Sequence, residues 1–159
     1  YSGTVIRDGS GVGVLNLSND EELIDGKFIA NESIADNSYS GICFKATVAS
    51  GVVFGDVLYL DTADNTYKKA DATTSATCPV KVIAIDGEGS GKRVMRTGFI
   101  RSSGKFSFTA GNTLFASITA GVITETEPVA SGNISQRLGW AATTDTIYFE
   151  PDQTYIEAA

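Results

Sequence analysis

The sequence predicts an all-β protein: a small β-barrel or β-sandwich with an internal pseudo-duplication, an extended N-terminal arm and at most one short helix. Three observations lead there. Short alternating or compact apolar runs recur along the chain, separated by Gly, Asn, Asp and Ser turns, as in small barrels and sandwiches. Helical periodicity is not sustained over any stretch of about ten residues. A Gly-x-x-Leu-aromatic unit occurs twice, at Gly55 and at Gly111, and each copy opens a passage whose later segments follow in the same order.

The first passage, residues 55–98, runs through Gly55-Asp56-Val57-Leu58-Tyr59-Leu60, a polar turn, Pro79 to Ile85, and Arg93 to Gly98. The second, residues 111–150, runs through Gly111-Asn112-Thr113-Leu114-Phe115-Ala116, Gly121-Val122-Ile123-Thr124, Gln136 to Ala142, and Thr146 to Glu150. The copies start 56 residues apart. Two copies at so long a period do not make a solenoid, so pseudo-symmetry inside one β domain, residues 18–150, is expected.

From the amino terminus, residues 1–17 are Gly-punctuated and mildly apolar, which predicts an extended arm ending in one strand. Ser18 and Glu21 have capping-box spacing, predicting a single helical turn over residues 20–24. Ile42 to Val48 alternates as a strand should, and Val57 to Leu60 is a compact apolar run. Ala63-Asp64-Asn65-Thr66 reads as a turn returning through Tyr67-Lys68-Lys69, because Asn and Asp form Asx-turns and tolerate positive φ. Further strands are expected at residues 80–85, 92–100, 105–108, 113–117, 121–124, 137–142 and 146–150. Trp140 is expected in the core of the second copy, and Glu125 and Glu127 alternate outward from a strand. Residues 151–159 form a polar tail whose Tyr155 and Ile156 dock on a neighbour or fray.

Composition narrows function. The 159 residues are 42% apolar, enough for one sizeable core, and 12 Lys+Arg against 19 Asp+Glu give a net charge of −7. Basic residues never run longer than two, so nucleic acid, which needs a clustered positive footprint, is not the expected partner. No segment approaches the ~18 apolar residues of a membrane span, and the amino terminus carries no signal-peptide pattern. Cys43 and Cys78 are the only cysteines. Two buried free thiols are the favoured reading, with a disulfide or a reactive thiol as alternatives; two cysteines do not frame a secreted disulfide scaffold.

The chain has no histidine. That removes the usual general base at neutral pH, every Ser-His or Cys-His pair and the commonest transition-metal ligand, so no catalytic residue, cofactor site or metal site is assigned. Asp86-Gly87-Glu88-Gly89-Ser90-Gly91-Lys92-Arg93 ends in Gly-Lys but departs from the phosphate-loop pattern at both ends; a Gly-rich hairpin is the expectation. Gly9-Ser10-Gly11-Val12-Gly13 lacks the third glycine and the helix of a dinucleotide fingerprint. Asp61, Asp64 and Asn65 in one turn, and Asp20, Glu21, Glu22 and Asp25 in another, offer oxygen ligands without the ordered calcium loop. Glu125, Glu127 and Glu150 are carboxylates without the aromatic surroundings of a sugar-cleaving site beyond Trp140 and Tyr148.

From Gly51 through Pro151 the chain resembles the capsid decoration, or cement, proteins of tailed bacteriophages, and related phage fibre and tail domains. The resemblance lies in Val52-Val53-Phe54-Gly55-Asp56-Val57-Leu58-Tyr59-Leu60, Tyr67-Lys68-Lys69-Ala70-Asp71-Ala72 and Gly98-Phe99-Ile100. It continues through Gly111 to Phe115, Gly121 to Thr124, Pro128, Ser131-Gly132 and Gln136 to Ala141, and closes on Ile147-Tyr148-Phe149-Glu150-Pro151. The order carries it, over about two-thirds of the chain. It implies a structural protein of the virion with no active site, commonly a homotrimer, bound to the major capsid protein on the outer capsid surface and assembled in the host cytoplasm. The implied contact element is an N-terminal arm. Tyr1, Val5, Ile6, Val12, Val14 and Leu15 are the contact candidates, matching in placement and character, since an added strand with apolar side chains can fill shallow pockets. The alternative is a fibre or tail receptor-binding module.

Overall fold

The structure, a computed structural model, describes residues 30–159 together with the backbone of residues 5–7, 13–16, 21–24 and 27–29. Its described regular structure is all strand. In chain order the strands are β1 (Val5–Arg7), β2 (Gly13–Asn16), β3 (Glu21–Ile24), β4 (Lys27–Ala30), β5 (Ser38–Val48), β6 (Val57–Asp61), β7 (Thr66–Lys69) and β8 (Val82–Ala84). They continue with β9 (Gly89–Arg101), β10 (Thr113–Ala116), β11 (Ile123–Thr124), β12 (Ile134–Ser135), β13 (Arg137–Ala141), β14 (Thr146–Phe149) and β15 (Ile156–Glu157).

One nine-stranded sheet, ordered β11-β10-β13-β14-β9-β5-β7-β6-β8, forms the body, and β8 pairs again with β9. That extra pairing closes β9-β5-β7-β6-β8 into a five-stranded ring, a small barrel from which the other strands extend as an open sheet. The single parallel contact in the ring is Val48 opposite Tyr67. The long strand β9 makes both halves possible. Residues 94 and 95 pair with β8, while residues 98–101 pair with β14. Between them the register against β5 shifts at Ile42/Cys43, and Gly98 has φ 142°. A Cβ at Gly98 would collide with the backbone of Ser40 and Gly41, so the bend and the close crossing both need glycine.

Two apolar clusters follow from this geometry. Val48, Leu58, Val82, Ala84 and Val94, with Ala46 and Tyr67, come from all five ring strands and fill the ring. The larger cluster lies between the outside of the ring and the open sheet, and includes Ile83, Met95, Ile100, Leu114, Ile147 and Phe149.

The repeat seen in the sequence is real in the backbone. Strands β7-β6-β8-β9 and β11-β10-β13-β14 are two four-stranded antiparallel units of the same order. Gly55 N–H donates to Ala84 O (2.8 Å) and Gly111 N–H to Ala141 O (2.8 Å). Ala84 N–H returns to Asp56 O (2.8 Å), as Ala141 N–H does to Asn112 O (2.9 Å). At the next turn, Ile85 and Asp86 both donate to Arg93 O, and Ala142 and Thr143 both donate to Thr146 O. Gly55 and Gly111 hold φ of 79° and 88°, the left-handed region that favours glycine.

Several expectations are corrected. Residues 21–24 are strand, not a helical turn: Glu21 faces Ala30 and Ile24 faces Lys27 across an antiparallel pair. The intervening Asp25-Gly26 is a favoured hairpin dipeptide, a signal stronger than the capping-box spacing. Where one strand is expected at the end of the arm, β1 and β2 pair with each other. Residues 105–108 form no strand; Lys105 and Phe106 donate to Ser102 O in a turn and Phe108 to Thr144 O, although Phe106 is buried as the alternation suggests. The strand expected over residues 80–85 is shortened to β8, because the buried Gln136 amide takes both Val80 N–H (2.7 Å) and Val80 O (3.1 Å).

Candidate interaction surface

Three parts of the molecule bear on function: the N-terminal strand pair, its attachment to the body, and the outer face of the open sheet.

Of the contact candidates, Val5 and Ile6 lie on β1 and Val14 and Leu15 on β2, with Val5 opposite Asn16 and Ile6 opposite Leu15. Tyr1 and Val12 lie outside the described residues. Among the described residues the β1–β2 pair and the β3–β4 pair are each separate two-stranded sheets. The structure therefore brings four candidates into one small sheet of their own.

The segment between β4 and β5 is tied to the body by polar contacts. Asp36 accepts from Ser103 N (2.7 Å) and Ser103 Oγ (2.6 Å), Asn37 Oδ1 accepts from Ser102 Oγ (2.8 Å), and Arg101 donates to Ile34 O (3.2 Å) while pairing with Asp145 (3.0 Å). The Ser103 hydrogen bonds hold the Asp36 carboxyl below its usual range. These contacts give the N-terminal strands a fixed point of departure.

The outer face of the open sheet carries an aromatic row. Trp140 faces Tyr148, and Tyr148 faces Phe99, on three adjacent strands. Trp140 stacks on Tyr148 with ring centroids 4.4 Å apart, and Phe99 meets Tyr148 edge-on at 4.9 Å. Trp140 is 41% exposed, which corrects its expected place in the core. Its neighbours in sequence take the inward positions: Leu138 and Ala141 are buried, and a register shift between Leu114 and Phe115 opposite this stretch turns Trp140 outward.

The polar residues weighed for chemistry are committed to structure. Asp61 and Asp64 both grip Lys68, at 2.7 and 2.8 Å, and cap the turn through Ala63 N and Thr66 N. In the Gly-rich hairpin, Asp86 receives Arg93 Nη2 (2.8 Å), Nε (3.1 Å) and N (2.9 Å). Those bonds lower the Asp86 carboxyl to about 2, the Arg93 side chain contributing most and its backbone next. Glu88 accepts from Ser50 Oγ and Gly51 N, which ties the hairpin to the neighbouring turn. Glu125 accepts from Asn112 Nδ2 (3.1 Å) and Thr109 N, and Glu127 from Ser135 Oγ; both lie beyond β11, not on it. Among the described residues no group of three His, Cys, Asp or Glu is placed to hold a metal ion. Cys78 is a buried free thiol whose pKa burial pushes up, the opposite of an activated nucleophile; Cys43 is half-buried against the main core.

Two structural residues escape a reading of sequence alone. Asp56, 5% exposed at its side chain, bonds Val53 N (2.9 Å) and pairs with Lys69 (3.1 Å) and with Lys105. Gln136 links residues 78–80 to Asp152 O, to which it donates (2.7 Å). Their partners are distant in sequence, so only the Gly-Asp opening of the first copy hints at Asp56, and nothing local marks Gln136. No helix among the described residues is long and apolar enough to cross a membrane. No protein-family model matches the chain, and no curated protein matches it.

Proposed function

We propose that this chain is a structural protein of a tailed-phage virion, a capsid decoration protein that binds the major capsid protein on the outer surface of the shell and stabilises it without catalysis. The observation that carries the proposal is the combination of a doubled, cross-braced β body with N-terminal strands that form small sheets of their own. The body supplies a stiff rivet. The N-terminal strands supply backbone donors and acceptors at their edges, and Val5, Ile6, Val14 and Leu15 supply apolar side chains, the components of binding by strand addition. A homotrimer multiplies three modest contacts into one avid attachment, and the acidic surface keeps copies soluble by repulsion. The resemblance of the chain's motif order to that of cement proteins supports the same assignment.

The exposed Trp140–Tyr148 stack favours a second reading, a fibre or tail module that contacts a host surface, since aromatic residues open to solvent on a sheet face suit recognition. Gold-labelled antibody against this chain, applied to intact particles from its source, separates the two. Regular label over the heads is the expected result. Label confined to tails or projecting fibres assigns the chain to the second reading, and unlabelled particles overturn both.

A further inference from the structure

The closed ring ends in a socket. Phe44 on β5, Leu60 on β6, Tyr67 on β7 and Val82 on β8 line a cavity of about 290 Å³, with Arg96 of β9 and Lys81 at its rim. Every strand of the ring thus contributes one residue, a convergence that only the β8–β9 closure produces. The socket is blind: beneath it Leu58 and Val94 are fully buried and fill the ring. Phe44 meets Tyr67 edge-on at 6.0 Å, and Phe44 and Leu60 remain 40% and 36% exposed.

The charge at the rim decides the occupant. Lys68, Lys69, Arg93, Arg101, Lys105 and Arg137 each hold an acidic partner. Arg96 and Lys81 make no ion pair or side-chain hydrogen bond with the described residues, in a chain of net charge −7. The lining of this cavity carries two cations and no carboxylate; Arg96 also borders an adjoining cavity with Glu150 and Asp152, of which Asp152 is held by Arg137. A mouth more basic than the acidic chain around it is the arrangement that gives an interface its specificity and on-rate. We propose that this socket docks a segment of a partner protein presenting one aliphatic or aromatic side chain flanked by carboxylates. The anchor enters between Phe44, Leu60, Tyr67 and Val82, and the carboxylates meet Arg96 and Lys81. The volume falls just below the ~300–1,000 Å³ range of small-molecule sites, which suits one anchoring side chain. Mouths of β-barrels are a recurrent place for such sites. Nucleic acid is disfavoured, because two cations without a continuing basic track neutralise too few phosphates. The proposal concerns the isolated protein and stands whether or not the chain decorates a shell.

The test is a titration of the ¹⁵N-labelled full chain, followed by amide NMR, with an acetylated, amidated peptide Glu-Glu-Leu-Asp-Glu and its Gln-Gln-Leu-Asn-Gln counterpart. Saturable shifts centred on Phe44, Leu60, Tyr67 and Val82 are expected. Arg96→Glu, Lys81→Glu and the uncharged peptide should each weaken binding about tenfold, as loss of a central charged contact does. Lys92→Glu, the same charge change four residues earlier on β9, should leave affinity within about twofold, as rim or remote charges do. Arg96→Gln, which keeps a polar side chain at the rim, repeats the test with less risk to the fold. Equal binding of the uncharged peptide, shifts centred elsewhere, indifference to both rim substitutions, or saturation of the same shifts by inorganic phosphate or phosphatidylserine vesicles overturns the proposal.

Discussion

The two four-stranded copies share their strand order and turn hydrogen bonds, yet one row of side chains has opposite fates in them. In the first copy Val57 faces Ile83 and Ile83 faces Met95, and all three are fully buried against the main core. The corresponding row of the second copy is Thr113, Trp140 and Tyr148, lying on the outer face. The first copy is buried on both sides because β5 and β7 complete the ring on one side and the main core covers the other. The second copy buries only its Leu114, Ala141, Ile147 and Phe149 side. Duplication thus supplied two scaffolds, and ring closure consumed both faces of one while leaving a face of the other open.

The sharpest test of that difference is to force one copy toward the other. Gly139 stands where the first copy has Val82, opposite the equivalent leucine. It has φ 129°, and a Cβ there would collide with the backbone carbonyl of Tyr148. Gly139→Val should cost about 4 kcal/mol or more, in the range of diagnostic core lesions, read by chemical denaturation. A loss below about 1 kcal/mol would place it among ordinary surface changes and refute the close approach.

Asp56 and Asn112 are equivalent in the backbone but not in their partners. Asp56→Ala removes the shared acceptor of Lys69, Lys105 and Val53 N and should cost about 2 kcal/mol, as losing hydrogen bonds to a charged group does. Asn112→Ala loses one exposed bond to Glu125 and should cost less than about 1 kcal/mol. Equal losses in urea titrations would erase this asymmetry.

Within the divergent row, Ile83→Ala should cost about 3 kcal/mol through the cavity it leaves. Trp140→Ala should cost only about 1 kcal/mol, the worth of its stack on Tyr148. A Trp140→Ala loss as large as that of Ile83→Ala would return the tryptophan to a core role.

The smallest effect is one of pH. Asp86 of the first copy corresponds to Thr143 of the second, which does not titrate. With its folded pKa lowered to about 2, Asp86 contributes stability that is complete above its unfolded pKa of about 4. That contribution disappears as pH falls from there toward 2. Because the pair is partly exposed, it amounts to less than about 1 kcal/mol. Asp86→Asn should flatten that part of the stability profile; an unchanged profile would show that the Arg93 clamp does not form in solution.

The same contrast explains what the sequence discloses. The all-β class, the repeat and the Asp61 to Thr66 turn are legible because alternation and Asx-turn residues act locally: Asn65 does take positive φ, at 55°. Ring closure is not legible, since it depends on Ile83 and Ala84 meeting Met95 and Val94 across the hairpin while Tyr67 meets Val48 in parallel. Periodicity carries no record of which strand edge is shared. Trp140 misleads for a related reason: an apolar residue in a repeat is indistinguishable from a core residue until the face it occupies is known. The candidate surface was legible only as an apolar, Gly-rich N-terminal stretch, because strand addition needs backbone edges more than particular side chains.

The most direct test of the proposed function is co-sedimentation of the purified chain with undecorated phage heads, comparing the full chain with a variant lacking residues 1–17. Because β1–β2 is a separate two-stranded sheet among the described residues, the shortened body should keep its unfolding midpoint. The account predicts that the full chain pellets with the heads and the folded, shortened chain stays in the supernatant. A folded, shortened chain that still pellets, or a full chain that does not, would contradict it.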